Sequence, residues 1–263
     1  MKVAGWDVNK IRDSVLGKEF ETNNCGKCVV VDYKGRNDVF VKFYNPEYTV
    51  KCRMSLLKLG NVSNPMHPTL YGVGYIGVGK HSSKTNERIY KVWGSILQRC
   101  YSEVYHQTKT EKYKGVSVCE AWKDLQNFAT WWEGNKFSNL TDGKGNSYQI
   151  DKDLLSFGDK KYCPETCCFV PSEINSLILD SRKSRGDYPI GVVPHIQTGK
   201  FMSRLSKGKL SSYLGLYNTP EEAFSAYKVA KEAHVKEVAV KWKGKIDDRV
   251  YQSLMTWEIS IGD

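Results

Sequence analysis

Three short runs of strand-forming residues followed at once by a capped helix, all between Tyr188 and Ala233, constrain the fold of this chain more than any other feature. The runs are Gly191 to Ile196, Lys200 to Leu205 and Ser211 to Tyr217. Thr198-Gly199 and Lys207-Gly208-Lys209 separate them with turn chemistry, so the segment predicts a three-stranded antiparallel sheet. Thr219 then supplies an N-cap hydroxyl, Pro220 fits the first helical position, and Glu222 stands three residues after Thr219, as a capping box requires. Ala223, Ala226, Ala230 and Ala233 recur at helical spacing, and such small side chains let a helix lie close on a sheet. Period-two alternation turns Phe201, Ser203 and Leu205 towards that helix and Lys200, Met202, Arg204 and Ser206 away from it.

Charge points to a polyanionic partner. The 263 residues carry a formal charge of +10, and 40% hydrophobic content supports cores in two or three units. The basic excess is +5 over residues 1–80, zero over 81–180 and +5 over 181–263. From Arg182 to Tyr217 seven basic residues stand against one acid, Asp187, which makes the sheet region the electropositive focus. The competing account is an ordinary sheet and helix with a solvated basic loop. No apolar run approaches the roughly 20 residues of a membrane span, and the N-terminus lacks a signal-peptide core, so a cytoplasmic protein is expected.

The first 80 residues predict a small β-rich domain. Cys28 to Tyr33 and Val39 to Tyr44 are strand-like and flank the turn Lys34-Gly35-Arg36-Asn37, and Tyr48 to Arg53 offers a third strand. The glycine-rich run from Tyr71 to Lys80 approaches a phosphate-binding loop through Gly74, Gly79 and Lys80. His81 stands where the magnesium-holding Ser or Thr belongs, so no nucleotide cofactor is expected and the run reads as a flexible linker or turn. Of eight cysteines, Cys25 and Cys28 form one CxxC with no second pair or His pair. Free thiols are therefore expected in preference to zinc.

The middle of the chain alternates helical and short strand-like pieces. Tyr90, Trp93, Ile96, Leu97 and Tyr101 mark an amphipathic helix over 86–101, and Trp122, Leu125, Phe128, Ala129 and Trp132 mark a second. Tyr113 to Val118 is strand-like, Tyr148 to Leu155 carries Asp151-Lys152-Asp153, and Tyr162 to Pro171 leads into a helix holding Ile174-Asn175. Towards the end, Ile246, Val250, Tyr251, Leu254 and Trp257 recur at the spacing of a final helix.

Gly191-Val192, Gly199-Lys200-Phe201, Tyr213-Leu214-Gly215-Leu216-Tyr217 and Thr219-Pro220-Glu221-Glu222-Ala223 resemble the DNA-binding domain of plant ethylene-response factors, the APETALA type. The resemblance implies that a sheet enters the major groove and that Tyr213 is a DNA-contacting aromatic. Ile190 and Val193 stand where that family usually has arginine, so two side chains able to read guanine bidentately are absent. Phosphate contacts from Lys200, Arg204, Lys207 and Lys209, with Arg182, Lys183 and Arg185 of the basic connector, position a protein but carry little sequence information.

Trp93, Arg99-Cys100-Tyr101, Tyr113-Lys114-Gly115-Val116, Trp122, Asp151-Lys152-Asp153, Gly158, Tyr162, Pro164-Glu165-Thr166-Cys167 and Asn175 resemble bacteriophage HNH-type homing-endonuclease-like proteins. That resemblance implies a ββα metal finger in which Asp151 and Asn175 hold magnesium or manganese on a scissile phosphate. The position of the water-activating histidine is Lys152, with Asp153 as a substitute base. An ammonium is a poor base near neutral pH, so the alternative is a finger whose carboxylates serve the fold through backbone and lysine contacts.

Together these readings predict an α+β, multi-domain protein: a β-rich domain over 1–80, an HNH-like central domain over 86–180, and a sheet domain with a C-terminal helix over 188–259. The expected partner is double-stranded DNA, met in the cytoplasm of an infected bacterial host cell, with cleavage or nicking at a modified HNH site. The rival is an inert DNA-binding regulator or host-function inhibitor that keeps the nuclease fold as scaffold.

Overall fold

The computed structural model describes residues 8–108, 113–156, 158–178, 187–207 and 210–262. It is a mixed α+β structure with a four-stranded and a three-stranded antiparallel sheet. Contacts divide the chain into two compact units, Met1–Gly134 with Lys160–Cys163 and Asn135–Asp159 with Pro164–Asp263. The central segment of the sequence thus contributes to both.

The first unit opens with helix α1 (Val8–Val15) and the meander β1 (Glu19–Thr22), β2 (Gly26–Gly35), β3 (Asp38–Tyr44) and β4 (Glu47–Cys52), paired in chain order. Alternation places Val39, Val41 and Phe43 of β3 in the core. On β2 the inward set runs Cys28, Val30 and then Tyr33, because a register shift after Val30 inserts one residue and moves the face by one position. Helix α2 (Met54–Lys58) closes this core with Met54 and Leu57. The sulfur of Cys25 accepts the Asn64 backbone N–H at 3.3 Å, and burial, with smaller contributions from Cys52 and Glu21, pushes the Cys28 thiol up to about 11. Both act as core groups, and Cys28 is held away from the thiolate form that binds metal.

Helix α3 (Glu87–Tyr101) buries Ile89, Trp93, Ile96, Leu97 and Cys100, so the apolar stripe is rotated slightly from the expected one. Tyr101 stays at the rim and its hydroxyl accepts the Val118 N–H at 3.0 Å. Helix α4 (Glu103–Thr108), strand β5 (Ser117–Val118), a 3₁₀ turn at Glu120–Lys123 and helix α5 (Leu125–Gly134) follow. Trp93 donates its indole N–H to the Trp122 carbonyl at 2.7 Å, and Trp122 meets Phe128 edge-on with centroids 5.1 Å apart.

The glycine-rich run is not a flexible linker. Tyr75 donates its N–H to the Lys123 carbonyl at 2.9 Å, and Leu125 donates to the Tyr75 carbonyl at 3.0 Å. Gly77 has φ +72°, and a Cβ there would lie 2.1 Å from Asp124 Oδ1. Gly77 and Gly79 let the backbone lie directly on the start of α5, and Gly74 lets it lie against Trp93 and Leu97 of α3, a packing demand that reads in sequence like looseness.

The second unit contains β6 (Gln149–Asp151), β8 (Cys168–Val170) and α6 (Ser172–Asn175); β7 (Lys161–Tyr162) belongs to the first unit, parallel to β5. After β9 (Val192–His195), β10 (Lys200–Lys207) and β11 (Leu210–Tyr217) come α7 (Pro220–Trp242) and α8 (Asp248–Thr256). The capping box forms as predicted: Glu222 N–H donates to Thr219 Oγ1 at 3.2 Å, and Glu222 Oε2 accepts the Thr219 N–H at 3.4 Å. Ala223, Phe224 and Tyr227 pack with Val192 and Leu205 in the sheet core. The helix then runs far beyond Ala233, burying Val235, Val238, Ala239 and Trp242, while α8 buries Val250 and Leu254.

Candidate nucleic-acid interface and ββα element

The three-stranded sheet has order β11-β10-β9, and one face is closed by α7. Along β10, Ser203 and Leu205 are buried, whereas Lys200, Arg204 and Ser206 are exposed, following the predicted alternation. A register shift between Ser203 and Arg204 sets Arg204 opposite Tyr213, and the Arg204 guanidinium reaches Ser211 Oγ at 3.3 Å. Tyr213 is 62% exposed and Val193 38% exposed, so the open face presents the Arg204 guanidinium and the Tyr213 phenol together with Lys200, Ser206 and apolar side chains.

The other expected contacts fall in different places. Lys200 sits at the start of β10, opposite His195. Lys207 does not join Arg204; its ammonium lies 3.4 Å from Glu237 of α7, on the helix side. Odd numbering turns it inward where the core has ended, and the lysine stem carries its charge to the rim. Arg182, Lys183, Arg185 and Lys209 lie outside the described residues.

The second constellation is a ββα element. β6 pairs antiparallel with β8, register Gln149 to Val170 and Asp151 to Cys168, and α6 follows β8 after Pro171. Asn175 donates its amide to Gln149 Oε1 at 2.5 Å. Gln149 and Asp151 are two apart on one strand, so Asn175 stands beside the face that carries Asp151.

The strand ends at Asp151 for a local reason. Its Oδ1 accepts the backbone N–H groups of Asp153 at 2.8 Å and Leu154 at 2.9 Å, an Asx turn that bends the chain out of the ladder. Lys152 and Asp153 therefore do not point to opposite sides of a strand, as continued alternation would demand. Their side chains form an ion pair, and Lys152 also donates to the Asp159 carbonyl at 3.2 Å. The Lys152 side chain is 9% exposed. Burial raises the Asp151 pKa above the usual carboxylate range, against the lowering effect of the two backbone N–H groups.

One carboxylate and one amide oxygen are a donor set that magnesium accepts, since it keeps several waters and takes few protein ligands. Asp151 Oδ2 and Asn175 Oδ1 are the atoms that remain for it once the hydrogen bonds above are counted. No group of three or more His, Cys, Asp or Glu side chains suited to a metal occurs among the described residues. Lys152, at the expected base position, is an ammonium already committed to the Asp153 carboxylate and the Asp159 carbonyl.

Sequence reasoning missed a third feature. A cleft of 1410 Å³ in the second unit is lined by Gln149 and Asn175 at the ββα element, by Lys231 and Lys241 of α7, and by Lys207 of β10. No periodicity in the chain announces it, because its lysines are scattered over a hundred residues.

No family model matches this chain, and neither a curated protein nor a solved structure matches it. No helix among the described residues is long and apolar enough to cross a membrane.

Proposed function

We propose that this chain is a double-stranded DNA-binding protein of the phage homing-endonuclease type, docking through the open face of the β9–β11 sheet. The observation that carries this reading is the outward pair Arg204 and Tyr213, opposite one another on a sheet whose other face is sealed by α7. The cation supplies phosphate or base contact and the phenol packs on the duplex, while Val193 offers only apolar contact where an arginine would read guanine. Affinity is therefore strongly salt-dependent and sequence discrimination low. Arg204→Ala is expected to weaken duplex binding about tenfold and to flatten the dependence of log K on log salt by about 1. Fluorescence anisotropy with a labelled duplex measures both; an unchanged slope and affinity in Arg204→Ala with Tyr213→Ala would move the interface off this face.

A second reading, metal-dependent nicking at the ββα element, is favoured by the placement of Asn175 beside the strand carrying Asp151. In it Asp151 and Asn175 would hold magnesium or manganese, and the bound ion would supply Lewis-acid polarisation of a phosphate. Asp153 serves as the base only by leaving Lys152. Incubation of supercoiled plasmid with magnesium, manganese or EDTA tests it. Nicking that needs metal and disappears in Asp151→Ala and Asn175→Ala is the result this reading expects. DNA retained with the plasmid intact leaves binding as the whole function, the ββα element being scaffold.

A further inference from the structure

The cleft in the second unit is larger than the roughly 300–1,000 Å³ of a small-molecule site, and it suits a length of polymer better than a metabolite. Five lysines line it against two carboxylates. Two of the lysines are neutralised, Lys241 by Glu173 at 2.7 Å and Lys207 by Glu237 at 3.4 Å. The second carboxylate, Asp142, is taken up by hydrogen bonds: it accepts the backbone N–H groups of Lys144 and Asn146 at 2.8 and 2.9 Å and the Ser172 hydroxyl at 3.1 Å. Lys144, Lys231 and Lys245 are left without an ion pair among the described residues.

Lys231 is the informative member. Its ammonium is half-buried, donates to the Leu177 carbonyl at 2.6 Å, and has its pKa lowered by burial. A cation placed at this cost on a cleft wall is stabilised by an anion in the cleft. The aromatic side chains that line the cleft are not stacking platforms. Tyr148 and Trp242 are buried, meet edge-on at 6.2 Å, and have their polar tips bonded to the Lys245 carbonyl and to Glu173. Recognition here is by charge and not by base stacking. A duplex needs an open face such as that of the sheet, whereas a walled cleft admits one strand.

We propose that this cleft holds the sugar–phosphate backbone of a single DNA strand, with Lys144, Lys231 and Lys245 contacting phosphates. The inference rests on the DNA-binding reading and extends it. The cleft lies between the end of β10, α7 and α6, on the helix side of the sheet, so it is a contact separate from the duplex face, and no base sequence is read in it.

The test is fluorescence anisotropy of the full chain with a labelled mixed-sequence single strand of about 12 nucleotides. The combined variant Lys144→Gln, Lys231→Met, Lys245→Gln is expected to bind it at least about tenfold more weakly, with the salt slope reduced by about 2. Thermal melting checks that this variant folds. If it does not, Lys144→Gln with Lys245→Gln alters only exposed side chains and is expected to reduce the slope by about 1. Unchanged single-strand affinity and slope in a folded variant overturns the proposal. Absence of single-strand binding in the unaltered protein, beside duplex binding that Arg204→Ala weakens, overturns it and leaves the sheet reading standing. Absence of binding to both overturns both.

Discussion

Gly191→Ala is expected to destabilise the sheet domain by about 3 kcal/mol or more, through left-handed strain and overpacking together. Gly191 has φ +78°, and a Cβ there would lie 2.0 Å from Cδ2 and 2.5 Å from Cε2 of Tyr227. That ring cannot swing aside, because Tyr227 is buried beside Phe224 in the core under α7. The backbone cannot retreat cheaply either, since the Gly191 carbonyl accepts the Arg204 N–H at 2.8 Å. Moving it would displace the strand that carries the guanidinium, so duplex binding should fall with stability. Urea unfolding followed by tryptophan fluorescence, beside duplex anisotropy, reads both effects. A variant within about 0.5 kcal/mol of the parent protein would show that Tyr227 does not hold this position.

Trp93→Ala is expected to cost about 3–5 kcal/mol in the first unit, the range for emptying a buried aromatic site. Trp93 is 1% exposed on α3, and its indole bonds the Trp122 carbonyl. The substitution opens a cavity and also strips a buried carbonyl of its donor, which adds a desolvation penalty. Trp93→Phe, which refills most of the volume but not the hydrogen bond, should fall between the two. If Trp93→Phe proves as costly as Trp93→Ala, the hydrogen bond outweighs the packing. A midpoint in urea that moves little for either variant would contradict the core role altogether.

Much of the fold was legible because its signals are local. The β2–β3 hairpin, the three runs of the C-terminal sheet, the capping box at Thr219 and the α8 stripe each depend on residues a few positions apart, where period, turn chemistry and caps act directly. Signals too short went unread: β1 has four residues, α2 five and α1 eight. The glycines from Gly72 to Gly79 suggested looseness, whereas the partners that require Gly77 and Gly79, Asp124 and Gln126 at the start of α5, lie some fifty residues away.

The candidate site divides in the same way. By itself the chain determined which face of β10 carries Arg204, that Tyr213 belongs to the same sheet, and that Asp151, Lys152 and Asp153 stand together ahead of a short helix with Asn175. Tertiary structure alone decided that Lys207 turns to Glu237 and away from Arg204, and that lysines from four separate segments line one cleft. The reason is range. Backbone preference and alternation act over a few residues, whereas the partner that neutralises a charge, or leaves it for a phosphate, is chosen only when distant segments are packed against each other.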